Sequence, residues 1–192
     1  MITALRIRQS LAWVIQSLLF FKKHYLIILA LGMVAALGRA AQLRAFGPIS
    51  PGMFNLLEVF IQSARIMVFV YSLGLTNVKK GALRLRHLLT SKATWKENSR
   101  IAVQKFKKDW RSIVANMVIY LLIALLINKL IDHAAYQTCL YAKLKTHSII
   151  SGDSSEWVII LFFKNLSVIP FTLIFNAVFL LWITNKMVLP KT

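Results

Sequence analysis

The chain has 192 residues, of which 58% are hydrophobic and 16% are charged, and its formal net charge is +18. Soluble domains usually carry about 25% charged residues, whereas several apolar runs here approach the roughly 20 residues that a helix needs to cross a bilayer. The composition therefore excludes an ordinary soluble domain and predicts an all-α integral membrane protein. The single cysteine, Cys139, excludes an internal disulfide.

Residues 4–24 contain basic residues followed by an apolar run that ends in FFKKHY. A cleavable signal peptide would end in small residues. We therefore interpret this segment as an amphipathic helix that lies in the membrane interface and leads into the first span.

Four apolar runs follow in the order expected of a multi-pass protein. GPISPG at 47–52 predicts a turn that makes the first two spans a helical hairpin. Pro170 predicts a kink or a break in the fourth run. The predicted spans are Tyr25–Leu43, Phe54–Leu75, Ser112–Ile131 and a fourth within Trp157–Ile183.

Positive charge predicts the orientation. Seventeen Lys and Arg residues lie before the first span, between the second and third spans, or after the fourth span, against five on the opposite side. Because cytoplasmic segments are enriched in Lys and Arg, both termini and the central segment are predicted to be cytoplasmic, as in a protein of the bacterial inner membrane. The aromatic residues near the same boundary are Trp13, Trp95, Trp110 and Trp182.

The segment FFKKHYLIILALG at 20–32 is echoed by KFKKDWRSIVANM at 105–117. In the segment TWKENSRIAVQKFKKDW at 94–110, Trp95, Ala102, Phe106 and Trp110 follow one helical stripe, which predicts a second amphipathic helix. The single membrane domain, residues 1–192, is therefore consistent with two copies of amphipathic helix, span and return span, with halves 1–77 and 78–192. The alternative is that interfacial anchoring produced the same basic and aromatic collar twice.

Arg65 lies near the middle of the second span, where insertion of an arginine costs about 2.5–3.5 kcal/mol. Helical spacing places it in an intramembrane polar stripe with Glu58, Gln62 and Ser72. Glu58 is the predicted partner of Arg65, directly or through Gln62 or water. The stripe is expected to join helices or subunits, and the alternative is that it lines a pathway or an anion site. Asparagines that offer further interhelical hydrogen bonds are Asn116, Asn128 and Asn176.

Basic residues interleaved with apolar ones predict contact with anionic lipid head groups of the cytoplasmic leaflet. RNA binding is the alternative for the segment VKKGALRLRHLL at 78–89, but the sequence has no RNP or KH signature, so no nucleic-acid partner is expected. The predicted lipid contacts are Lys22, Lys23, Lys79, Lys80, Arg84, Arg86, Lys105, Lys107, Lys108 and Arg111.

The sequence contains no GxSxG, HExxH, P-loop or GxGxxG motif, and its four histidines are not at metal-ligand spacing. It therefore predicts no catalytic residue, no cofactor and no metal. The expected function is that of a non-enzymatic accessory or scaffold subunit, which packs against a membrane-protein partner or a second copy and contacts anionic lipid. The alternative is a small transporter, channel or lipid-handling protein with a pathway around Arg65. A membrane enzyme acting on lipid head groups is the least favoured hypothesis.

Overall fold

The computed structural model describes residues 11–187, and this part of the chain consists of helices and the segments that connect them. Four stretches are long and apolar enough to cross a membrane, namely α2, α3, the 45-residue α5 and Trp157–Ile183, which comprises α7 and α8. The predicted helical class and the four candidate spans of a multi-pass protein are thereby confirmed. The helices are α1 (Ala12–Lys23), α2 (Tyr25–Gln42), α3 (Pro51–Leu73), α4 (Val78–Thr90), α5 (Lys92–Tyr136), α6 (Leu140–Thr146), α7 (Trp157–Leu166) and α8 (Val168–Ile183).

The predicted turn lies between α2 and α3. After α2, Arg44 has a φ of 61°, and the Ala45 N–H donates to the Ala40 carbonyl at 3.0 Å, as in a Schellman-type helix end. Helix α3 begins at Pro51, which is three residues earlier than the predicted Phe54. Proline is favoured at the first helical position because its fixed φ suits the helix and its missing N–H would have no partner there.

The fourth apolar stretch is broken, as Pro170 predicted, but the break lies three residues earlier. Ser167 has a φ of −128° and a ψ of −79° between α7 and α8. Pro170 then occupies the first turn of α8, where the backbone N–H groups have no intrahelical partner and proline is tolerated.

Helix α5 contains one residue with non-helical backbone angles, Asp109, with a φ of −115° and a ψ of 21°. The predicted third span begins just after this kink. His24, which ends α1, has nearly the same angles, −116° and 24°. The two residues are equivalent in the echoed segments FFKKHY and KFKKDW, so the similarity in sequence extends to the backbone at this position.

Two helices had no counterpart among the sequence-predicted elements. Helix α4 contains the whole basic segment 78–89, which was expected to contact lipid. The Asn77 side chain caps this helix by accepting a hydrogen bond from the Lys80 N–H at 3.0 Å. The short helix α6 lies in the loop between the third and fourth spans.

The chain packs as two compact units. The first unit comprises residues 1–24, 68–122 and 171–192, to the extent that these are described, and the second unit comprises Tyr25–Met67 and Ile123–Pro170. Each unit draws residues from both predicted halves, 1–77 and 78–192, so the halves stay a prediction about sequence duplication and are not packing units. Of the predicted amphipathic helix at 4–24, residues 4–10 lie outside the described residues.

The core of the first unit includes an aromatic cluster around Trp13, which is fully buried. Its ring lies 4.7 Å from that of Phe179 and 4.6 Å from that of Trp182, measured between ring centroids. Trp13 and Trp182 are therefore packed in the interior, although the sequence grouped them with interfacial aromatics. Trp95 and Trp110 are exposed.

Candidate functional site

The carboxylate of Glu58 is the centre of a polar cluster in the second unit. Arg39, in the last turn of α2, forms an ion pair with it at 3.1 Å between Nη1 and Oε2. Gln42 Nε2 donates to the same oxygen at 3.0 Å, and Gln62 Nε2 donates to Oε1 at 2.7 Å. Gln42 also donates to the Phe54 carbonyl at 3.0 Å. The cluster thus joins the end of α2 to the first half of α3.

Arg65 has a different hydrogen-bond partner from the predicted one. Its Nε and Nη2 donate to Oδ1 of Asn165 at 3.3 and 2.8 Å. Asn165 is only 1% exposed, and its Nδ2 donates to the Leu161 carbonyl at 2.7 Å, which fixes the orientation of the amide. The predicted pair of Arg65 and Glu58 is therefore not formed directly. Arg65 is hydrogen-bonded to Asn165, and Glu58 forms its ion pair with Arg39.

Three helices meet around Asn165. Helix α2 approaches α7 at Gly32, where an added Cβ atom would lie 3.0 Å from the Asn165 backbone carbonyl oxygen. Glycine permits this close approach because it has no Cβ atom. Arg65 reaches the same residue from α3, so the hydrogen bond is made next to this close approach of α2 and α7.

The four residues of the predicted polar stripe are not joined by one network of hydrogen bonds. Glu58 and Gln62 are bonded to each other, and Arg65 bonds to Asn165. Ser72 belongs to the first unit, is fully buried, and its Oγ donates to the Val68 carbonyl at 2.8 Å.

The asparagines that were predicted to join helices differ in what they contact. Asn116 is fully buried, and its Oδ1 accepts a hydrogen bond at 3.1 Å from the Val14 N–H in the first turn of α1. Asn128 donates within its own helix, to the Ala124 carbonyl at 2.9 Å. Asn176 is exposed on α8.

The sequence interpretation missed Asn165 as a partner of Arg65. An asparagine in the apolar run WVIILFFKNL is an unusual residue, and it signals an interhelical contact.

Two of the ten predicted lipid contacts donate side-chain hydrogen bonds within the chain. The half-buried Arg84 donates through Nη1 to the Leu73 carbonyl at the end of α3, at 2.6 Å. Lys105 Nζ donates to the Trp182 carbonyl at 2.5 Å and to Asn185 Oδ1 at 2.7 Å, and it lies 4.0 Å from the centre of the Trp182 ring. Both cations therefore stabilise helix C-termini, where carbonyl groups favour positive charge. The remaining predicted contacts are exposed, namely Lys22, Lys23, Lys79, Lys80, Arg86, Lys107, Lys108 and Arg111.

No family model matches this sequence, and neither a curated protein nor a solved structure matches it significantly.

Proposed function

We propose that the protein is a non-enzymatic accessory or scaffold subunit that packs in a larger membrane complex and contacts anionic lipid. Its partner is another membrane protein or a second copy of the chain. The observation that carries the proposal is the position of Gln62, a polar side chain exposed near the middle of a helix that is long and apolar enough to cross a membrane.

Gln62 is flanked one turn away on each side by exposed apolar residues. Val59 is 64% exposed and Ile66 is 57% exposed, so this surface of α3 faces hydrocarbon when the protein is alone in a bilayer. Gln62 donates one hydrogen bond to Glu58, but an exposed amide has further polar groups that lipid tails cannot satisfy. A polar group on a partner helix would satisfy them, since amide side chains commonly hydrogen-bond across helices in membranes.

Asn176 provides a second example in the first unit. It is exposed near the middle of α8, in the apolar sequence VIPFTLIFNAVFLLWI. An exposed asparagine at this position favours contact with another polypeptide over contact with lipid tails, for the same reason as Gln62.

The contacts of Arg65 favour a joining role over a transport pathway. Its guanidinium is held by a buried amide whose orientation is fixed, and the nearby carboxylate of Glu58 is paired with Arg39. A permeation site must bind its ion weakly enough to release it and needs groups that exchange partners during passage. These fixed internal contacts therefore support the scaffold hypothesis.

The proposal includes the orientation and the interfacial helices that the sequence predicts. The eight exposed cations would face anionic head groups on the cytoplasmic side, where each contributes about 1 kcal/mol near the surface. Helix α1 and the part of α5 before Asp109 would lie in the interface. The matching backbone angles of His24 and Asp109 support an origin of these two segments by duplication.

Native mass spectrometry of the full chain in a mild detergent tests the scaffold role. We expect the wild-type protein to carry a stoichiometric partner, either a second copy or another membrane protein. Gln62→Leu is expected to lose that partner while remaining folded. Gln137→Leu is the matched control, because Gln137 is an exposed amide outside the predicted spans, and it should retain the partner.

Two outcomes would contradict the proposal. One is a wild-type protein that is monomeric without any stoichiometric partner. The other is a Gln62→Leu variant that assembles normally while Arg65→Leu abolishes an ion flux in proteoliposomes, which would favour the pathway alternative.

A further inference from the structure

A cavity of about 340 Å³ lies in the first unit, between α4, the beginning of α5 and the end of α8. Its volume falls in the range of roughly 300–1,000 Å³ that is common for ligand sites. Most of its walls are apolar, with Leu85 and Leu88 from α4, Ala102 from α5, and Leu180 and Ile183 from α8. Such a lining suits a hydrocarbon chain.

Asn98 is one of the residues that line this cavity. The side chain is more than nine-tenths buried, and its Nδ2 has no hydrogen-bond partner among the described residues. Leaving a buried donor unsatisfied is destabilising, and buried polar groups in folded proteins nearly always have a partner. The other buried donor without a partner in the described part, Trp13 Nε1, does not line this cavity.

The position and the charge of the surroundings indicate the class of ligand. Leu180 and Ile183 belong to the last turn of a candidate span, so the cavity lies at the level where a span ends. The surface of α4 and of the beginning of α5 is basic, with Glu97 as the only acid in residues 79–100. The exposed cations of this surface are Lys79, Lys80, Arg86, Lys92, Lys96 and Arg100.

We propose that this cavity binds one molecule of an anionic phospholipid. An acyl chain would occupy the apolar part, Asn98 Nδ2 would donate a hydrogen bond to an ester carbonyl oxygen, and the surrounding cations would attract the phosphate. A water-soluble metabolite fits less well, because the lining offers few polar groups to bind it. The inference deepens the lipid contact of the proposed function, from exposed cations to a single built site.

The test measures lipid retention by the delipidated full-length chain with native mass spectrometry. The probes are palmitoyl-oleoyl phosphatidylglycerol, phosphatidylcholine with the same acyl chains, and oleate. Asn98→Leu removes the Nδ2 hydrogen-bond donor while keeping the side-chain volume nearly constant. Ala102→Phe fills the cavity with a larger side chain. Gln104→Leu is the matched control, because Gln104 is an exposed amide on the same helix and does not line the cavity.

The wild-type chain and Gln104→Leu should retain one phosphatidylglycerol under conditions that remove all other lipid. Asn98→Leu and Ala102→Phe should bind this lipid about ten-fold more weakly, as expected for the loss of one buried hydrogen bond or of the chain site. Phosphatidylcholine and oleate should bind the wild type more weakly than phosphatidylglycerol. The thermal midpoint of Asn98→Leu should not fall, because the substitution removes an unsatisfied donor, and this separates binding from folding.

If Asn98→Leu bound phosphatidylglycerol as tightly as the wild type, the proposed phospholipid site would be wrong. This holds for any affinity measured with Ala102→Phe. Equal or tighter binding of oleate would overturn the choice of a phospholipid. If the broader lipid contact were wrong, the wild type would show no preference for phosphatidylglycerol among its weakly bound lipids. If only the cavity site were wrong, that preference would persist and the two cavity variants would have no effect.

Discussion

Two nitrogens of the Arg65 guanidinium donate hydrogen bonds to one oxygen, Oδ1 of Asn165. The two residues are 100 positions apart in the sequence. The Asn165 amide is fixed in turn by the Leu161 carbonyl. This relationship ties α3 to α7 in the second unit and gives a mid-span arginine a neutral partner. The charge, which is expensive to insert into a membrane, thus has a fixed hydrogen-bond acceptor.

A double-mutant cycle on this pair should reveal an interaction energy. We expect Arg65→Leu and Asn165→Leu each to lower the free energy of unfolding by about 1–3 kcal/mol, because the first removes the partner of the buried Asn165 and the second removes the partner of the partly buried Arg65. The coupling energy should lie between about 0.6 and about 1.7 kcal/mol, the average and the maximum for interhelical hydrogen bonds in membranes. Equilibrium unfolding in mixed detergents measures all four proteins, and strictly additive losses would show that the contact contributes nothing.

Glu58→Gln should destabilise the protein modestly. The substitution preserves the shape of the side chain but leaves Arg39 without its counterion. Because both side chains are partly exposed, we expect a loss of about 1 kcal/mol, which corresponds to a fall in the thermal midpoint of roughly 2–4 °C. Asp153→Asn, which removes one negative charge from an exposed loop residue, is the control, and an equal fall in both variants would contradict a specific ion pair.

Gly81→Ala should be strongly destabilising. A Cβ atom at this position would overlap the Val70 backbone carbonyl, so α3 and α4 would have to separate at a cost of about 1–3 kcal/mol. Gly52→Ala is the matched control, because its Cβ atom would meet nothing within 4 Å; it should stabilise the helix by about 0.4–1 kcal/mol. Thermal unfolding of both variants tests the difference, and similar midpoints would disprove the close approach.

Stability should fall in mild acid because of His24. Its Nδ1 lies 3.1 Å from the Tyr71 hydroxyl, and its ring packs on Phe20 with 4.8 Å between centroids. Burial, with a further contribution from the Lys23 charge, lowers the pKa of His24 from its ordinary value of 6.5. The folded state therefore favours the neutral ring, so the stabilisation is present above pH 6.5 and is lost as the pH falls through the lowered pKa.

The thermal midpoint at pH 7.5 and 5.5 measures this effect. The wild type should lose more stability between the two pH values than His24→Phe does. His147→Phe, at an exposed position, should behave like the wild type. If His24→Phe and the wild type lost the same stability, another group would be responsible.

The sequence by itself determined the helical class, the number of candidate spans and the approximate position of those spans. The first span was predicted at Tyr25–Leu43 and α2 is Tyr25–Gln42. The motif GPISPG marked a turn and Pro170 marked a broken stretch, because proline acts through local backbone geometry. These features depend on neighbouring residues only, since partition into a membrane and turn formation are set by short segments of chain.

Only the tertiary structure decided which side chains meet. Glu58 lies on the same helix as Arg65, about 10 Å away along the axis, and it pairs with Arg39 from the preceding helix instead. Asn165 reaches Arg65 because Gly32 lets α2 and α7 approach closely. Lys105 donates a hydrogen bond to the Trp182 carbonyl at the end of α8, although the basic sequence around it predicted a lipid contact. Such pairings depend on how helix faces pack across long sequence distances, which hydropathy and spacing along one helix do not specify.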